Sequence, residues 1–398
     1  MGLCYRIHGL EVKNLYFCGM ISAKLLEQPL LLSQLELYIL DVPQKTSFTS
    51  GIGVRNSRKM LLVKWADAQG VVGYGECSCR PDPYYSEEFL DGAVQLIQKF
   101  VVPQLTRETS LAGVLKVLRR IRGWNFTKAA VEAAAFQVAR TLSGYRLEED
   151  LTPTPIDRVP VGISLGIYKD KGEAYEVVQE AIQQGYRRVK FKISPTVDTA
   201  VFDHINPLLF DNGVLTGFDA NGSFFHEHLD ALGYFVHTYD TIIEQPLPPS
   251  RYDVYQAAKA CYPSLRVCAD EEVKNIGDLM KLKALGAIDE LNLKLGRVGG
   301  ITHSMEIVNY CAAEGIPCWI GGMFETGVGR VFNLELARFL PEAQAHDLSP
   351  SSRYFTEDII APEVTMEAGY VDATAFTHYE LQPEVVERLQ VAHYSYTF

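Results

Sequence analysis

Between Lys190-Phe191-Lys192 and Asn292-Leu293-Lys294 the chain passes through three further segments of one kind: Phe218-Asp219-Ala220-Asn221, Ile243-Glu244-Gln245-Pro246 and Ala269-Asp270-Glu271. The reading of the fold turns on their spacing. From Lys192 to Asp219 is 27 residues, then 25 to Glu244, 26 to Asp270 and 24 to Lys294. One strand, one helix and two short loops fill about that length, so a repeating βα unit would bring all five segment ends to one rim.

Working outward, buried-strand patterns fall at 159–165, 187–193, 214–219, 240–244, 265–270, 290–295, 316–320 and around His346-Asp347, and helical stretches lie between them. The runs are continuously apolar rather than alternating, which indicates parallel strands covered on both faces. The sequence therefore predicts an α/β fold, a (β/α)7β-type modified TIM barrel over 158–351, with an atypical last connection. Ahead of it, 33–157 reads as an α+β capping domain completed by the tail, 352–398. Met60–Trp65 and Val71–Glu76 flank a hairpin turn at Asp67–Gly70. Thr46–Arg55, polar and glycine-bearing, reads as a mobile loop. Residues 86–145 read as helical, with a close-packed alanine face at Ala129–Ala135, and Thr152-Pro-Thr-Pro155 as a hinge-like break. Residues 1–32 lack the order of a signal peptide and read as an extension or as residues upstream of the true start.

Composition narrows the partners. With 47% apolar and 22% charged residues the chain can bury a sizeable core. A net charge of -12 argues against nucleic acid, since phosphate binding needs a basic face. No apolar run approaches a membrane span. The eight cysteines are scattered without paired CxxC spacing, which fits buried thiols in a reducing cytoplasm rather than zinc or disulfides. A small-molecule carboxylate is the expected partner, with a homo-oligomer left open.

Side-chain alternation gives the strand ends a chemistry. Residues i and i+2 share a strand face, so Lys190 and Lys192 point together, as do Asp219 and Asn221. In Asp270-Glu271 the carboxylates diverge and only one can be an inner ligand. Asp219, Glu244 and one of Asp270 and Glu271 would make an all-oxygen site suited to a hard cation such as Mg²⁺, with Mn²⁺ as a substitute. No histidine or cysteine sits at these ends, which disfavours zinc. A lysine beside a metal and a second cation can have its pKa lowered, and two lysines across the mouth could move a proton α to a carboxylate. Taken singly, Lys-Phe-Lys is an ordinary strand end, Asp-Ala-Asn a turn and Glu-Gln-Pro a cap. Their common register is what lifts them above that reading.

The series KxK, DxN, EQP, DE and NLKxGRVGG resembles the enolase superfamily in its muconate-lactonizing-enzyme-like branch. Leu291–Gly300, Ile316–Arg330, Ser349–Tyr354 and Gly73-Tyr-Gly-Glu76-Cys are similar to o-succinylbenzoate synthases of the type shared with N-acylamino acid racemases. The resemblance covers about 34–370 and departs at Ala134-Ala-Phe-Gln137, where the family carries an aspartate. It implies that Asp219, Glu244 and Asp270 bind Mg²⁺, that Lys192 takes the α-proton, and that Lys294 faces it as a cation or second base. It gives Lys190 and Glu271 supporting roles, with Glu271 pairing a lysine, and has Ser164, Asn221, Gly321, Gly322 and Met323 line the substrate. Phe48 and Ile52 would add apolar contacts from the capping loop. The implied reaction is dehydration of 2-succinyl-6-hydroxy-2,4-cyclohexadiene-1-carboxylate to 2-succinylbenzoate through a metal-stabilised enediolate, a step of menaquinone synthesis. N-acylamino acid racemisation, alone or beside it, is the alternative. A Schiff-base aldolase using Lys192 or Lys294 leaves the three carboxylates without a task. A binding module without chemistry leaves every one of these groups unexplained.

Overall fold

The computed structural model describes residues 6–7, 10–11, 21–50, 53–239, 241–341, 343, 345–376 and 378–398, with side chains undescribed at 6–7, 10–11, 46–50 and 53–56. The N-terminal half is an antiparallel sheet. Strand β1 (Pro29–Ser50) pairs with β2 (Gly53–Asp67), β2 pairs with β3 (Val72–Cys77), and the C-terminal strand Gln390–Thr397 adds to the free side of β1. The Asp67–Gly70 turn lies where expected, with Gly70 at φ +86°. Where described, at 46–50 and 53–55, the stretch read as a mobile loop is strand. After a register shift between Pro43 and Phe48, pairing resumes at Phe48 with Arg55 and runs to Ser50 with Gly53, because backbone groups pair whatever the side-chain polarity. Ile52 and the Phe48 side chain lie outside the described residues.

Two helices back this sheet, α1 (Leu111–Arg119) and α2 (Asn125–Ser143). The helical stretch 86–145 is interrupted by a short strand, Glu108–Ser110, paired with Pro29–Leu31. The alanine face of α2 meets the glycines of β3. A Cβ on Gly75 would lie 2.0 Å from the Ala130 carbonyl oxygen, and one on Gly73 2.1 Å from that of Ala134. Only glycine permits that approach. Gln137, at the departure from the family pattern, accepts the Tyr74 N–H at 2.7 Å.

Seven parallel strands follow in chain order: β4 (Gly162–Leu165), β5 (Arg188–Lys192), β6 (Leu215–Asp219), β7 (Ile243–Glu244), β8 (Val267–Ala269), β9 (Glu290–Leu293) and β10 (Cys318–Ile320). Helices separate them: α3 (Lys171–Gln183), α4 (Ala200–Asp211), α5 (Leu229–Thr238), α6 (Tyr252–Cys261), α7 (Ile276–Ala284) and α8 (Ile301–Glu314), and α9 (Gly327–Ala337) follows β10. The turn chemistry is local. Asp170 caps α3 by accepting the Glu173 N–H at 2.8 Å, and Gly185 at φ +84° ends it.

The eighth strand is reduced to one residue pair. His346 bridges Val161 in parallel, and Asp347 donates its N–H to the Ile320 carbonyl at 2.9 Å, which closes the ring. The run 159–165 also divides. Arg158–Pro160 pairs antiparallel with Tyr370–Asp372, and Gly162–Leu165 joins the barrel together with the Val161 bridge. Outside the barrel, Phe191 and Phe218 both stack edge-on against Phe202, at 5.6 and 5.4 Å between ring centroids. Lys190 and Lys192, flanking Phe191, are thereby turned inward. Glu76 of β3 ties the sheet to the barrel by accepting from Thr326 Oγ1 at 2.8 Å and from the Gly329 N–H at 3.1 Å. Among the described residues no helix is long and apolar enough to cross a membrane.

Candidate active site

The register of β5, β6 and β7 sets Lys192 beside Asp219 and Asp219 beside Glu244. A cavity of about 270 Å³ opens over these ends. Lys190, Lys192, Asp219, Asn221 and Lys294 line its barrel side, with Ser164, Gly322 and Met323 further round. The N-terminal sheet and its following loop supply Arg58, Arg80 and Tyr85.

Each carboxylate of the expected triad is met by a cation. Lys192 Nζ lies 3.0 Å from Asp219 Oδ2 and also donates to Asn221 Oδ1. Lys190 Nζ lies 2.5 Å from Glu244 Oε2, and Asn292 Nδ2 donates to the other Glu244 oxygen at 2.7 Å. Lys294 Nζ lies 2.9 Å from Asp270 Oδ2, and Arg297 holds Oδ1. Lys294 Nζ also donates to Tyr85 Oη at 3.3 Å.

These contacts set the protonation tendencies. Burial pushes Glu244 up to about 8, Lys190 opposes this, and the neighbouring Asp219 and Asp270 reinforce it. Burial also works on Asp270, yet Arg297 and Lys294 hold it below the carboxylate range. At Lys294 burial favours the neutral amine, but Asp270 outweighs it and keeps the ammonium well above its usual range. Glu271 is pushed up to about 7 by burial and then by Asp270.

The structure alters two sequence assignments. Glu271 does not pair with a lysine among the described residues; its Oε1 accepts from Asn221 Nδ2 at 2.9 Å. Asn221 sits at φ +44°, which turns its amide back across the mouth. Gly321 is not on the cavity wall. A Cβ there would stand 2.1 Å from Asn292 Oδ1 and 2.8 Å from Lys294 Cε, so the glycine makes room behind the lysine. Ser164 lines the cavity and donates to Asp347 Oδ2 at 2.9 Å.

Four residues were missed. Asp347 receives Lys190 at 2.6 Å and Arg188 at 3.0 Å. Arg297 follows Lys294 by three residues, inside a block already singled out, and Asn292 shares a strand face with Lys294; both spacings were available signals. Tyr85 comes from the opposite end of the chain and carried none.

The residues present fit a hard divalent cation by donor chemistry. Three carboxylates stand on neighbouring strand ends, and burial, reinforced by the charges of Asp219 and Asp270, raises Glu244. Among the described residues no three acidic, histidine or cysteine side chains converge as a metal-holding group, and the charge within the triad is balanced by ammonium and guanidinium groups.

Residues 173–376 match the family described as enolase C-terminal domain-like. The chain is similar to an o-succinylbenzoate synthase of Geobacillus stearothermophilus, 32% identical over 83% of this chain and 88% of that protein. It is 34% identical to an N-succinylamino acid racemase of Thermus thermophilus, over 84% and 90% of the two chains. A solved structure of a probable mandelate racemase from Alicyclobacillus acidocaldarius superposes with a TM-score of 0.80 at 32% identity, covering 92% of this chain and 99% of that one.

Proposed function

The chain belongs to the enolase superfamily, in its group of o-succinylbenzoate synthases and N-succinylamino acid racemases, and on that premise we propose that it is an o-succinylbenzoate synthase, a lyase. The substrate is 2-succinyl-6-hydroxy-2,4-cyclohexadiene-1-carboxylate and the product 2-succinylbenzoate. One observation carries the reading: two lysines from opposed strands, Lys192 and Lys294, line one cavity and flank three carboxylates.

Asp219, Glu244 and Asp270 would hold Mg²⁺, or Mn²⁺ in its place, which when bound supplies positive charge to the substrate carboxylate. Lys192 takes the proton from the ring carbon α to that carboxylate. Lys294, held as a cation by Asp270, stabilises the negative charge that develops on the carboxylate oxygens. The C–O bond to the ring hydroxyl then breaks, Lys192 returns its proton to the departing oxygen, and water leaves. The ring becomes aromatic, which supplies much of the driving force. Lys190, fixed between Glu244 and Asp347, positions the carboxylate from below. Ser164, Asn221, Gly322 and Met323 shape the wall, and the N-terminal sheet excludes water above it.

Racemisation of N-succinylamino acids uses the same two lysines as opposed bases, and the racemase relative favours it as a second activity. Dehydration of the cyclohexadiene, measured beside deuterium uptake at Cα of N-succinylamino acids, tests both. Loss of one lysine impairs a racemase in both directions but a synthase unequally.

A further inference from the structure

We propose that Arg58, on the cavity wall formed by the N-terminal sheet, receives a second, remote carboxylate of the substrate. The inference rests on the function proposed above and adds which residue selects the succinyl chain.

The other cations on the wall are committed. Lys192 and Lys294 pair with Asp219 and Asp270, and Lys190 pairs with Glu244 and Asp347. Arg80 Nε lies 3.1 Å from Asp82 Oδ1. Arg58 differs. Its Nη2 donates to the Ser78 carbonyl at 2.9 Å, while its Nε is buried without a hydrogen-bond partner. Among the described residues no carboxylate stands within ion-pair distance of it.

Two acids lie within electrostatic reach, yet both are engaged elsewhere. Glu76 accepts from Thr326 and Gly329. Glu325 accepts from the Met323 N–H at 2.8 Å and from Asn333 at 3.2 Å.

A half-buried guanidinium whose buried Nε–H is unused is costly unless an acceptor arrives, since such groups are nearly always satisfied. A carboxylate is the acceptor whose two oxygens match the guanidinium fork. The surroundings fit a short acyl chain leading to that carboxylate. Phe324 lies beneath the guanidinium at 5.9 Å from ring centroid to Cζ, and Leu165 and Met323 line the same cavity. The substrate class is therefore a dicarboxylate, one acid at the strand ends and the other on Arg58.

The test is calorimetric binding, with Mg²⁺ in excess, of 2-succinylbenzoate and of 2-butanoylbenzoate, in which a methyl group replaces the terminal carboxylate. The wild type is expected to bind the succinyl compound at least tenfold more tightly. Arg58→Gln should bring the two affinities within about twofold, and Arg58→Lys should retain part of the difference. Should Arg58→Gln fail to fold, Arg58→Lys carries the test, with at least a threefold drop in the ratio expected. Equal wild-type affinities, or a ratio that neither variant changes, would overturn the assignment of Arg58 and leave the proposed function standing. No binding of either compound would strike the proposed function, and this inference with it.

Discussion

Lys190 Nζ stands 2.6 Å from Asp347 Oδ2, a buried pair that joins β5 to the single residue pair closing the barrel. Asp347 holds Arg188 as well, so its carboxylate balances two cations, the buried Lys190 and the half-buried Arg188. Removing one partner of such a pair leaves an uncompensated charge and costs about 3 kcal/mol or more. Asp347→Asn should therefore lower the thermal midpoint by several degrees and reduce kcat at least tenfold. Paired melting and turnover measurements check this; unchanged values in both would remove Asp347 from the site.

Lys192→Ala should abolish turnover while leaving Mg²⁺ affinity undiminished. Lys192 contacts Asp219 and Asn221, but a neutral methyl group in its place takes no oxygen away from the triad. Calorimetric titration with Mg²⁺ beside the activity assay separates the two effects. Full activity in this variant would sink the assignment of the base.

Gly321→Ala probes the packing behind Lys294. The added Cβ would overlap Asn292 Oδ1 and Lys294 Cε, and overpacking of this kind costs about 1–3 kcal/mol. The expected result is a fall in kcat larger than the rise in KM, since Lys294 is displaced rather than removed. Wild-type kinetics in the variant would mean that the lysine can shift freely.

His346 predicts an acid limit to stability. It is fully buried, its Nδ1 accepts the Ile320 N–H at 3.0 Å, and burial, followed by the charge on Arg188, pushes its pKa down to about 3. The folded state thus binds this proton less readily than the unfolded chain. Its stabilising contribution is complete above the unfolded value near 6.5 and is lost as pH falls from there toward 3, at about 1.4 kcal/mol per unit. Denaturant titrations at pH 7 and pH 5 should show this slope in the wild type and a flatter one in His346→Asn. Parallel slopes would assign the acid sensitivity elsewhere.

The barrel was legible because its strand ends carry charge at one repeat length, and a repeat survives without any tertiary information. Asp219, Glu244 and Asp270 were legible for the same reason, since a strand fixes the face of each residue. The eighth strand was visible only as His346-Asp347, because one bridging pair has no periodicity, and the role of Asp347 went unread with it. Residues 159–165 looked like one strand because apolar character does not reveal which sheet a backbone joins. Glu271 was assigned a lysine by the family resemblance, whereas here its partner is the amide of Asn221, at a left-handed turn. Arg58 reaches the cavity from the N-terminal sheet and Tyr85 from the loop after it, and no local pattern signals a contact made across more than a hundred residues.

The central claim is a cation-dependent proton abstraction that ends in dehydration. The most direct measurement is the spectroscopic conversion of the cyclohexadiene to 2-succinylbenzoate by the wild-type protein, with EDTA and then with excess Mg²⁺, beside racemisation of an N-succinylamino acid. The account predicts turnover that EDTA abolishes and Mg²⁺ restores, with dehydration the faster reaction. Turnover indifferent to EDTA, together with inactivation by borohydride in the presence of substrate, would contradict it and point to a Schiff-base lysine instead.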